Sequence, residues 1–165
     1  MSRTAKTFAY SLNPEFASAL VEAATAKGVT ASALTAEVVE NFLLEGGFVE
    51  PAAAADLLLL RALRDDAIDK LHHLVSTEGF SADITRRTFQ ACQDDAAWLA
   101  NYRTYVRDDP YRTGNPRKTN ANQTIGSRIK SELQAVDVID EFGKPARGRA
   151  PVGMIIQTYQ MLQMP

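Results

Sequence analysis

Between Thr7 and Leu12 apolar and polar positions alternate: Phe8, Tyr10 and Leu12 fall on one side of an extended chain, and Thr7, Ala9 and Ser11 on the other. The period then changes to that of a helix. Asn13 offers an N-cap oxygen, Pro14 occupies the first helical position, and Glu15 stands near the positive end of the helix dipole. Phe16, Leu20, Ala23 and Ala24 recur at helical spacing and predict a helix from Pro14 to Lys27, with Gly28 able to take the left-handed conformation that ends it. Thr30 caps a second helix, whose stripe of Leu34, Val38, Val39, Phe42 and Leu43 stops before Gly46-Gly47. A six-residue strand cannot persist alone in water, so this order of elements calls for a second copy of the chain. The dimer core is expected from Phe8, Tyr10, Leu12, Leu34, Val38 and Phe42.

The run Phe8-Ala9-Tyr10-Ser11-Leu12, the start Asn13-Pro14-Glu15-Phe16, the junction Gly28-Val29-Thr30-Ala31-Ser32 and the stretch Leu34 to Phe42 resemble the ribbon-helix-helix family of the Arc, MetJ and CopG type. The resemblance implies that two chains pair their strands into an antiparallel ribbon that enters the DNA major groove, with Thr7, Ala9 and Ser11 facing the bases. It also implies a phosphate held at the N-terminus of the second helix by Thr30, Ala31 and Ser32, where N–H groups and dipole favour an anion. Arg3 and Lys6, on the arm leading into the ribbon, are further phosphate candidates.

Beyond Gly46-Gly47 the pattern is again helical. Pro51 opens a segment expected to run to about Ser76, with Leu60, Leu63, Ala67, Leu71 and Leu74 on one side. The uniformly apolar Leu57 to Leu60 implies burial between elements or against a partner. A second helix, from near Ser81 through Phe89, Cys92, Ala96, Leu99 and Val106 and broadened by Trp98 and Tyr102, would complete a helical hairpin. A short helix is expected from about Asn122 to Gln134. The tail from Val152 to Leu162 fits either a helical stripe or a strand, and we expect the helix. As a strand it would form a small hairpin with Val136 to Phe142, in the manner of a winged-helix fragment. The expected architecture is therefore mainly α. A ribbon-helix-helix dimerisation module of one β-strand and two helices (1–46) precedes a helical C-terminal domain (51–165) with room for a small β-hairpin and a basic loop at 109–121.

Charge refines this division. Residues 1 to 46 hold Arg3, Lys6 and Lys27 against Glu15, Glu22, Glu37, Glu40 and Glu45, a net of −2. Residues 47 to 99 are net −4, and residues 100 to 165 are net +4. The positive charge concentrates in Asp109 to Lys118, where Arg112, Arg117 and Lys118 on a Pro- and Gly-bearing loop suit phosphate contacts and Tyr111 could stack on a base; it continues through Arg128, Lys130, Arg147 and Arg149. The plainer alternative is a solvated loop.

A composition of 45% apolar and 23% charged residues is that of a water-soluble protein of one or two small domains. No apolar run approaches the roughly 20 residues that span a bilayer, and the first residues lack a signal peptide's apolar core, so no membrane partner and a cytoplasmic location are expected. The single Cys92 permits no intramolecular disulfide and reads as a buried thiol. Asp65, Asp69, His72 and His73 fall within two helical turns, yet no third element completes a metal site, and Asp94-Asp95 and Asp108-Asp109 lack a base or nucleophile beside them. Gly46-Gly47 is not a phosphate-cradling loop. No catalytic residue, metal or cofactor is expected. Two functions remain: a homodimer that binds double-stranded DNA, as a repressor or an accessory factor of plasmid or phage DNA transfer and maintenance, or an antitoxin-like adaptor whose N-terminal module only dimerises while its helical domain binds a second protein.

Overall fold

An asparagine cap followed by proline starts the first helix, and the same device starts another in the second half of the chain. In α1 (Pro14–Ala26) the Asn13 side chain accepts from the Glu15 N–H at 3.1 Å; in α6 (Pro116–Glu132) that of Asn115 accepts from Arg117 and Lys118. The computed structural model describes residues 9–165, and the chain divides into two units, Met1–Gly46 and Gly47–Pro165.

In the first unit, α1 ends in a Schellman motif. Gly28 takes φ 63° and its N–H reaches the Thr25 carbonyl, while the Val29 N–H reaches that of Ala24. The chain turns into α2 (Ala31–Glu45), whose first turn is capped by the Thr30 hydroxyl accepting from the Ala33 N–H. Ala24 and Leu34 are the buried apolar residues between these helices. The expected strand needs correction. Thr7 and Phe8 lie outside the described residues, and Ala9 to Leu12 form no strand. Strand geometry requires a paired ladder, and among the described residues of this unit no strand supplies one.

The second unit is helical with a small β-structure. α3 (Pro51–Glu78) packs against α4 (Ile84–Asp94), α5 (Ala96–Val106) and α6. Leu63, Leu71, Phe89, Trp98, Tyr102, Ile125 and Ile129 meet in its core, and Trp98 donates its indole N–H to the Leu63 carbonyl while stacking on Tyr102 with ring centroids 5.0 Å apart. Leu59 and Leu60 pack on this core, but Leu58 faces solvent, so the Leu57 to Leu60 run is only partly covered.

The single helix expected from Ser81 through Val106 is two helices. Asp95 adopts extended backbone (φ −86°, ψ 109°) and turns its carboxylate onto the N–H groups of Ala97 and Trp98, so an acid that would sit poorly inside a helix instead ends one and caps the next. The same carboxylate pairs with Lys70 at 2.7 Å, an ion pair and hydrogen bond that hold it below the ordinary carboxylate range. The helix expected at Asn122 begins six residues earlier, at Pro116, because Asn115 caps it.

The tail is not helical. β1 (Val136–Asp137) pairs antiparallel with β4 (Leu162–Gln163), and β2 (Arg147–Arg149) with β3 (Thr158–Gln160), placing Gly148 opposite Tyr159. A β-carbon at Gly148 would overlap the Tyr159 ring, so this residue can only be glycine without rearrangement. The β-branched and aromatic content of the tail prevails over its helical stripe because residues 136–150 supply strands to pair with.

Candidate nucleic-acid interface

Most of the described residues expected to build a ribbon dimer are solvent-facing in the single chain. Tyr10 is 58% exposed, Val38 57% and Phe42 66%, and Leu12 is also exposed; of the expected dimer core that is described, only Leu34, at 6%, is buried. Phe16, Val21 and Val39 add to this apolar surface. Burial of one such side chain is worth about 1.5–3 kcal/mol, so this unit leaves much of its hydrophobic free energy unrealised. Tyr10 is anchored by its hydroxyl, which donates to Thr35 Oγ1 at 2.8 Å while Thr35 donates to the Ala31 carbonyl. The segment before α1 is thereby tied to α2.

Of the groove-facing set, Thr7 lies outside the described residues with the arm residues Arg3 and Lys6, whereas Ala9 and Ser11 are exposed. At the start of α2, Thr30 spends its oxygen on Ala33, leaving the N–H groups of Ala31 and Ser32 as the part of the first turn that Thr30 does not cap. Ser32 is exposed.

The basic residues of the second unit divide differently from the expected loop. Arg112 is exposed and lies 3.6 Å from Asp108. Arg117 and Lys118 are not on a flexible loop: both sit in the first turn of α6. Arg117 pairs with Asp56 at 2.7 Å, donates to the Tyr105 carbonyl and stacks over the Tyr105 ring at 4.6 Å. Its hydrogen bond, with Arg107 on the same carboxylate, holds the Asp56 carboxyl below its usual range and fastens α3 to the end of α5. Lys118 is 6% exposed and donates to the Arg112 carbonyl at 3.0 Å. The expectation that both lie on a loop is thereby corrected: they are helical, and their side chains are engaged with groups of the same unit rather than extended into solvent. Arg128 and Lys130 pair with Glu132 and Asp137, while Arg147 and Arg149 extend from β2 with exposed side chains.

The chain matches no family model, and no curated protein or solved structure is significantly similar to it. Its chemistry is therefore read from its own residues. His72 lies 3.0 Å from Glu132, and among the described residues no group of three His, Cys, Asp or Glu side chains is gathered as a metal would require. Burial pushes the Cys92 thiol up to about 12, which leaves it a packing residue with little thiolate. No helix among the described residues is long and apolar enough to cross a membrane.

Sequence reasoning missed the polar face of α6, formed by Thr119, Asn122, Gln123, Gly126 and Ser127 opposite the buried Ala121, Ile125 and Ile129. The signal was present in the spacing of these small polar residues by threes and fours. Starting the helix at Asn122 cut that face short.

Proposed function

We propose that the chain is a homodimeric DNA-binding protein whose N-terminal units pair Thr7–Leu12 from two copies into a ribbon, with Thr7, Ala9 and Ser11 toward the bases of a major groove. The observation that carries this reading is the exposed apolar surface of Tyr10, Leu12, Phe16, Val38 and Val39, on a helical pair preceded by residues Ala9 to Leu12, which have no strand partner among the described residues of the unit. A second copy supplies both the missing ladder and the cover for those side chains. The free first-turn N–H groups of Ala31 and Ser32, with Arg3 and Lys6 on the arm, supply phosphate contacts; in the second unit Arg112, Arg147 and Arg149 are among the exposed cations, whereas Arg117 and Lys118 are engaged within the fold. Such a protein acts as a repressor or as an accessory factor in DNA transfer or maintenance.

One observation favours the adaptor reading: the N-terminal unit is net −2, and phosphate neutralisation supplies much of the affinity for DNA. Measuring duplex binding against salt, alongside molecular mass in solution, separates the two. A dimer whose DNA affinity falls steeply with salt supports the first reading; a dimer that binds no duplex even at low salt leaves only the adaptor. Thr7→Ala with Ser11→Ala should change the preferred sequence, whereas Arg147→Ala with Arg149→Ala should weaken all sequences alike.

A further inference from the structure

A cavity of about 630 Å3 opens between α4, the polar face of α6 and the β2–β3 hairpin. Its volume lies in the range that takes small-molecule ligands. Phe89 and Ile155 give it an apolar floor, and Thr119, Asn122 and Ser127 bring hydroxyls and an amide to its wall. Two cations line it, Lys118 and Arg147, and no Asp or Glu is among the described residues around it.

Lys118 is unusual for a lysine. It is almost wholly buried, yet its ammonium donates to a single neutral acceptor, the Arg112 carbonyl, and among the described residues no carboxylate lies within 4.0 Å of it. An ammonium carries three donors, and a buried charge without a counter-ion is costly. Burial accordingly pushes Lys118 below its ordinary value, with only the charge of Asp109 acting in the other direction. An anion entering the cavity would relieve both deficits. The N-terminus of α6 does not serve this purpose, because Asn115 already accepts from the Arg117 and Lys118 N–H groups.

Gly126 is the second observation. It lies inside α6, where glycine is about 1 kcal/mol worse than alanine, and a β-carbon added there meets nothing within 4 Å. Neither packing against protein nor backbone conformation requires a glycine at this position; its missing side chain leaves the helix backbone open to a molecule in the cavity.

We propose that this cavity binds a small molecule bearing a terminal phosphate, with Lys118 and Arg147 neutralising the phosphate and the α6 side chains hydrogen-bonding a polar body of sugar-phosphate or nucleotide size. Two cations, with the Ser127 hydroxyl and the Asn122 amide NH2 as further donors, match the charge and acceptor character of a phosphate monoester, while the Thr119 hydroxyl already donates to the Asn115 carbonyl. The burial of Lys118 selects a terminal group that can enter the cavity over the backbone phosphate of a polymer, which stays at the surface.

Calorimetry and thermal shift on the full chain, with ribose 5-phosphate and adenosine monophosphate against ribose and adenosine, test this. Saturable binding of the phosphorylated pair, with the uncharged pair at least about tenfold weaker, is expected. Arg147→Gln and Lys118→Met should each weaken the phosphorylated probes about tenfold or more. Gly126→Leu should abolish their binding while the melting temperature stays the same or rises. Equal binding of charged and uncharged probes, no binding of either phosphate at millimolar concentration, or unchanged binding in Arg147→Gln and Gly126→Leu would each overturn the proposal. Should Lys118→Met fail to fold, those last two variants decide it.

Discussion

In the C-terminal unit Phe89, Trp98, Tyr102 and Leu71 are removed from water, whereas in the N-terminal unit Phe16, Val21 and Val38 are more than half exposed and the buried apolar residues are Ala24 and Leu34. The two units have similar means of starting and stopping helices, so local capping does not account for the contrast. Size does: two helices and an arm enclose too little volume for a self-sufficient core, while four helices and a small β-structure enclose enough. One unit covers its apolar side chains itself, and the other leaves many of its own in contact with solvent.

The contrast is broken most strongly from the side of the large core. Trp98→Ala removes the stacked partner of Tyr102 and the indole donor to the Leu63 carbonyl, and leaves a cavity in the core; it should cost about 3–5 kcal/mol. Urea unfolding followed by circular dichroism should show the loss in the helical unit while the mass in solution still reports the proposed dimer. If the dimer vanished with it, the two units would not be independent.

The opposite substitution sharpens the comparison. Phe16→Asp with Val38→Asp places charges on the exposed apolar surface and should raise the dimer dissociation constant by about two orders of magnitude or more, with the urea midpoint of the helical unit unchanged. Light scattering over a concentration series gives the answer, and an unaltered mass would remove the argument for pairing through this face.

A smaller effect is expected at the end of α6, where Gln134 takes φ 50° so that the N–H groups of Gln134 and Ala135 reach the Ser131 and Lys130 carbonyls. Glycine takes this conformation without the penalty of a side chain, so Gln134→Gly should stabilise the helical unit by up to about 1 kcal/mol. A lowered urea midpoint would mean that the Gln134 side chain matters more than its backbone.

The smallest effect belongs to acid. Asp56 has a folded value depressed below 3.8 by its hydrogen bond and ion pair with Arg117. Its contribution is present above the ordinary value and is lost as pH falls through the depressed one. Stability of the helical unit should therefore decline below about pH 4, and Asp56→Asn should make that decline shallower. An identical acid profile in the variant would show that Asp56 adds nothing measurable at this exposed pair.

Much of the helical framework was legible because capping and breaking chemistry is local. Asn13-Pro14, Gly28 in the left-handed region, Thr30 and Pro51 all act where the sequence places them. What was not legible depended on partners distant in sequence. Asp95 looks like one more acid on a helix surface until Lys70 and two amides are brought to it. Arg117 and Lys118 look like loop cations because nothing local announces that Asp56, Tyr105 and the Arg112 carbonyl will take their heads. The tail carried both a helical stripe and a strand composition, and neighbouring segments chose between them.

The sequence by itself determined that this is a mainly helical chain, where its first two helices begin and end, and which of its residues are apolar enough to need cover. Those properties rest on caps, turns and periodicity within a few residues. The tertiary structure decided which cover they receive: Trp98 and Phe89 are enclosed by their own unit, Val38 and Phe16 stay in solvent, and Lys118 is drawn beneath the surface beside a cavity. Burial and charge pairing are sums over groups far apart along the chain, and only folding fixes which of them meet.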